Sequence, residues 1–194
     1  MKTLNRRVLV LAALALLMVA TRTHHFAAIP DASWALFFIG GFYLRGATRW
    51  AFPLLMALAV AVDAAVITRS GLDFWQHACV SPGYWMLLPA YFVLWAGGLR
   101  LARGYRGAHW GMLPRAALTL VSAVALCHLF AQGGFYWTSG QVAEPTLAGW
   151  WKNYSDWFLP YLGTSALYVG VAAALQLALE QTGKLLHARR DARS

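Results

Sequence analysis

The sequence predicts an all-α, polytopic membrane protein with six transmembrane helices, and three observations predict it. Of 194 residues, 60% are hydrophobic and only 12% are charged. The mean hydropathy is +0.52, and several apolar runs approach the roughly 20 residues that cross a bilayer as a helix. The sixteen Lys and Arg residues lie mostly in short segments between those runs. In a soluble domain the net charge of +9 would suggest nucleic acid. Distributed in this way it reads as a set of topology determinants, and nucleic-acid binding is set aside.

Met1 to Arg7 is a short basic leader, and the first span covers residues 8–21, rich in Leu and Ala. A basic start before such a run also fits a signal peptide, but no small-x-small cleavage site follows before Arg22, so the run reads as a helix. Thr21 to Asp31 contains Thr-His-His and Ile-Pro-Asp, a polar break that ends the helix or interrupts it. The second span, 32–44, is short, about 20 Å as a helix, and Gly40-Gly41 within it marks close packing or a bend. The turn Arg45 to Arg49 leads to the third span, 50–68, and the segment Arg69 to Pro82 connects it to the fourth, 83–99. A Gly- and Arg-rich connection, Arg100 to Arg115, precedes the fifth span, 116–137. A long loop, Thr138 to Asp156, precedes the sixth, 157–179. Residues 184–194 form a basic tail expected to fray, and the whole chain reads as a single transmembrane domain.

Six spans place both termini on one side. That side would hold Lys2, Arg6, Arg7, Arg45, Arg49, Arg100, Arg103, Arg106, Arg115, Lys184, Arg189, Arg190 and Arg193, leaving only Arg22, Arg69 and Lys152 opposite. The positive-inside rule then puts both termini in the cytoplasm. Tryptophan is lopsided the other way. Trp34, Trp75, Trp85, Trp137, Trp150, Trp151 and Trp157 fall on the outer side, against Trp50 and Trp110 on the inner. Two readings stand: a thick interfacial belt, or an outward-facing aromatic pocket for a large planar ligand. His24, His25 and His77 share that side.

Within the spans, Ala57, Ala61 and Ala65 on the third and Ala166, Gly170, Ala174 and Ala178 on the sixth recur at every fourth residue. Such stripes let backbones approach closely in lipid, either as internal seams or against a partner. Asp63 is the one acid deep in an apolar run, so it should face the interior and be paired or protonated. Cys127, deep in the fifth span, reads as a small buried hydrophobe.

The stretch most suggestive of chemistry is His77-Ala78-Cys79-Val80-Ser81-Pro82-Gly83-Tyr84-Trp85, which carries one of the two cysteines. A thiolate is a soft metal ligand, and this one would stand beside a histidine, a serine and two aromatic rings. The alternative is a free loop cysteine. Two cysteines make no disulfide framework, and no CxxC, Walker motif, HExxH, paired carboxylates or Ser-His-Asp arrangement is present.

Six short spans, cytoplasmic termini, a broken first outer loop and Cys79 before the fourth span together resemble the substrate-binding S components of energy-coupling-factor vitamin transporters. The chain looks most like the solitary, BtuM-type S components that take cobalamin. The resemblance covers essentially the whole chain, and it implies an S-component-like bundle in the bacterial cytoplasmic membrane that binds vitamin B12 (cobalamin) and takes it up. Cys79 would be the ligand to cobalt. His77, Ser81, Tyr84, Trp85, Tyr136, Trp137 and Tyr154 would supply walls and hydrogen-bonding groups around the corrin. The sequence departs from the family pattern on the first helix, where 8–21 lacks the Ala-x-x-x-Ala surface that docks to a coupling subunit. An energising ATPase module in trans therefore stands beside solitary action. Thiolate ligation also implies loss of the opposite ligand, such as cyanide from cyanocobalamin, as a side reaction. Two other readings are a membrane thiol oxidoreductase or assembly factor using Cys79, for which Cys127 is poorly placed as a resolving thiol, and an S component for another vitamin.

Overall fold

The computed structural model describes residues 2–23, 30–77 and 80–191. Six α-helices account for most of them: α1 (Lys2–Arg22), α2 (Ser33–Tyr43), α3 (Thr48–Arg69), α4 (Leu87–Arg103), α5 (Met112–Thr138) and α6 (Leu147–Asp191), and no strand occurs among the described residues. α4, extended by the 3₁₀ turn Pro82–Met86, and α3, α5 and α6 are long and apolar enough to cross a membrane. The chain is an all-α membrane protein.

The bundle is built around α2. This helix packs against α1, α3, α4 and α6, and Ser33 to Gly41 are all buried. Glycine sets its distance from α4. A Cβ at Gly41 would overlap the Trp95 carbonyl, and one at Gly98 would overlap the Phe38 carbonyl, so the two backbones touch where one of the facing residues carries no side chain. Gly40-Gly41 is thus a close-packing point inside a continuous helix. Around the contact, Phe37 stacks on Tyr91 with ring centroids 4.4 Å apart, and Phe52 meets Trp95 edge to face.

Two sequence expectations need correction. Residues 147–156, expected as loop, are the first three turns of α6, because Trp150, Tyr154 and Phe158 fall on one helical face and pack inward. The basic tail is helical to Asp191. At 45 residues, α6 is about 68 Å long and overruns a hydrocarbon core of about 30 Å. The Ala57-Ala61-Ala65 stripe and the Ala166-Gly170-Ala174-Ala178 stripe are both exposed, so of their two readings the internal seam falls away and a face open to a partner remains. α3 packs instead through Leu55, Ala59, Val62 and Ile67. α6 packs through one narrow row that includes Trp150, Tyr154, Phe158, Leu162 and Ser165.

The end of the bundle that carries Arg45, Arg100 and the 104–111 connection is pinned by α6. The Glu180 carboxylate accepts from the Tyr105 hydroxyl at 2.5 Å, the Ala108 N–H at 2.9 Å and the Gln176 amide at 2.7 Å. Desolvation first, and then the bond to Glu180, push the Tyr105 hydroxyl up to about 12, so it stays a donor throughout the neutral range.

Candidate functional site

The opposite end holds the 69–86 and 138–146 connections and most of the polar chemistry. Its centre is Arg22, the last residue of α1, which is 5% exposed. Its Nε and one terminal nitrogen grip both oxygens of Asp63 on α3 at 2.6 and 2.7 Å. The other terminal nitrogen reaches Asp31 at 3.2 Å, Ser33 Oγ at 2.9 Å and the Tyr91 hydroxyl oxygen at 3.2 Å. The Tyr84 hydroxyl donates to Asp63 at 2.7 Å, and Asp31 accepts from the N–H and hydroxyl of Ser33, the first residue of α2. Four helices and the 82–86 turn are thereby joined by one bidentate ion pair and its satellites: the buried Asp63 is matched by the Arg22 guanidinium, while Asp31, which shares that cation, stays partly exposed to solvent. Asp63 is paired, as a lone acid in a span must be.

At this end an open cleft of about 480 Å3 lies between the two connections, within the range of small-molecule sites. Trp75, Gln76, His77 and Ser81 form one wall, and Thr138 and Gln141 belong to the other. The Val80 N–H donates to the His77 carbonyl at 2.8 Å. A Cβ on Gly83 would overlap the Gly134 carbonyl, and this close approach seats the 82–86 turn on α5. A second, apolar cavity of about 160 Å3 between α3 and α4 is lined by Arg22, Met56, Tyr84, Trp85, Leu88 and Tyr91.

The sequence-derived site residues thus fall into separate places. His77 and Ser81 line the cleft. Tyr84 and Trp85 line the α3–α4 cavity instead. Tyr136 is buried, and its hydroxyl donates to the Thr146 carbonyl and accepts from the Thr146 N–H, so it shapes the 138–146 connection. Trp137 is exposed beside it. Tyr154 stacks on Trp151 and Phe158 and donates to the Ala125 carbonyl at 3.0 Å, in the seam between α5 and α6. Cys79 lies outside the described residues, as do His24 and His25. Cys127 is a free, fully buried thiol. No cluster of three potential metal ligands occurs among the described residues.

The outer tryptophans differ in their surroundings. Trp75, Trp85, Trp151 and Trp157 are exposed, as a belt would be. Trp34 is buried and stacks on Tyr161 at 4.4 Å, and with His128, Tyr154 and Phe158 it makes an aromatic cluster where α2, α5 and α6 meet. Arg22 and His128 were not singled out in the sequence as site residues. The signal for Arg22 was Asp63, whose isolation in an apolar run requires a cation at the same depth. For His128 it was the titratable ring itself, inside the span 116–137.

No protein-family model matches the chain, and no curated protein matches it. The fold and the arrangement at this end define a helical membrane protein with an open polar cleft and a buried ion-pair network.

Proposed function

We propose that the protein binds a cobalt corrinoid at the cleft end of the bundle and moves it across the bacterial cytoplasmic membrane, with the Cys79 thiolate on cobalt. The observation that carries this reading is the cleft. Its walls come from residues on both sides of Cys79 in the chain, His77 and Ser81, facing Thr138 and Gln141. A thiolate bound to a metal is deprotonated outright, because the cation's charge stabilises the anion. The cleft is open, so a corrin wider than its floor rests partly on the exposed rings of Trp75 and Trp137. The orientation follows the basic residues, with the termini in the cytoplasm and the cleft outside.

The sequence carries no Walker motif, and in this reading energy comes from an ATPase module in trans or from reorientation of the bundle. The exposed small-residue faces of α3 and α6 offer flat surfaces for either. Cys127, enclosed in α5, supports packing rather than thiol exchange, which favours transport over oxidoreduction.

Purified protein incubated with cobalamin should acquire a thiolate-ligated visible spectrum, and Cys79→Ser should lose both that spectrum and at least tenfold in affinity. Equal affinity and an identical spectrum in Cys79→Ser would remove the thiolate assignment. Failure of the parent protein to take up any corrinoid would remove the function.

A further inference from the structure

α3 and α4 both pack on α2 but meet each other at few points, and between them lies the apolar cavity of about 160 Å3. It shares no residue with the cleft. Its back wall includes the buried Arg22, Ala59 and Tyr91, whereas Ala57, Trp85 and Leu88 at its rim are exposed. Those rim residues belong to two membrane-spanning segments, so the cavity opens sideways, toward the hydrocarbon of the bilayer. Its lining follows the chain from Tyr84 to Tyr91, about 10 Å along the helix axis, against about 15 Å of hydrocarbon in one leaflet. The polar groups at its back are already engaged. The nitrogens of Arg22 bond to Asp63, Asp31, Ser33 and Tyr91, and the Tyr84 hydroxyl donates to Asp63. The walls therefore offer ring faces, methyl groups and methylenes.

Such walls specify a guest without polar atoms, because a buried donor or acceptor would find no partner among them. A void of this size left unfilled forfeits the dispersion contacts of its lining, since protein interiors are close-packed. An apolar cavity of about 150 Å3 takes up a benzene-sized guest, so this one has room for a short run of methylenes and none for a ring system as large as a corrin. The hydrocarbon at its mouth is the lipid acyl chain. Charge gives the headgroup no part in selection. Arg22 is the only charged residue of the lining, and it is shared by Asp63 and Asp31, so two carboxyl groups face one guanidinium and leave no net attraction for a phosphate. We propose that the α3–α4 cavity binds one acyl chain of a phospholipid in the leaflet on the cleft side, selected by the chain and not by the headgroup. The bound chain covers Arg22 and Tyr91 from the bilayer side and so closes the ion-pair network. This site is independent of the corrinoid reading.

The test uses the full chain in bilayers of phosphatidylcholine that carries a photoreactive diazirine near the middle of one acyl chain. After photolysis, peptide mapping should find Met56, Val60 and Leu88 labelled several-fold more than Leu54 and Phe92, which are exposed on the same two helices but do not line the cavity. Ala57→Phe, which narrows the rim, should abolish that excess. Ala61→Phe, one turn along the same exposed face and outside the cavity, should leave it intact. Phosphatidylglycerol with the same chains should give the same pattern. Labelling of Met56, Val60 and Leu88 no stronger than that of Leu54 and Phe92 in the parent shows an ordinary lipid annulus and overturns the site, whether or not either variant folds. An excess that survives Ala57→Phe overturns its placement in the cavity, and a pattern that changes with the headgroup overturns selection by the chain.

Discussion

Arg22 closes the α1 helix by entering the bundle, and its guanidinium replaces solvent for Asp63 and Asp31 at once. Removing it alone leaves Asp63, 8% exposed, as an uncompensated buried charge. Arg22→Met should therefore cost about 3–5 kcal/mol, the usual penalty for breaking a buried pair. The double substitution Arg22→Met with Asp63→Leu should recover most of that loss. Thermal unfolding in detergent reads both, and a double variant no more stable than the single would show that the pair is not what holds the network. The sequence announced half of this arrangement. Asp63 stood out because an acid inside an apolar run needs a partner, whereas Arg22 read only as one of three basic residues on the sparse side. Which cation meets which acid depends on where α1 ends against α3, and that is tertiary information.

Among the elements, α2 and α4 carry the tightest contact and α6 the loosest. Gly41→Ala pushes a methyl group into the backbone carbonyl of Trp95, which only separation of the helices relieves. A loss of about 1–3 kcal/mol is expected, as for overpacked cores. Gly170→Ala, on the exposed face of α6 with nothing within 4 Å of its added Cβ, should stay within about 0.5 kcal/mol of the parent or gain slightly from helix propensity. Unfolding midpoints of the two variants test the contrast, and equal effects would contradict it. Span positions were legible because apolar runs are long and the breaks between them carry Arg, Gly and Pro. The start of α6 was not, since Gly140, Pro145 and Lys152 gave the stretch a loop's composition while Trp150 and Tyr154 were already keeping helical register. Periodicity of small residues also misled in part: spacing of four fixes a common face of a helix but not what that face meets.

For the whole molecule, class and helix number follow from composition and charge distribution, while the dispersal of the sequence-derived site residues over a cleft, a cavity and a seam follows only from how the helices cross. The central helix has a consequence for how the protein is made. α2 has 11 residues, about 16 Å of helix, and is surrounded by protein rather than lipid, so it is a weak signal for independent entry into a bilayer. Its covering partner α4 is synthesised more than forty residues later. During biogenesis α2 must therefore wait, held near the membrane by α1 and α3, until Trp95 and Gly98 arrive to enclose it. Ribosome-tethered chains carrying Phe37→Cys should react with a water-soluble thiol reagent when synthesis is halted after α3 and become protected once α4 and α5 have emerged. Protection already complete at the earlier stage would mean that α2 inserts on its own strength.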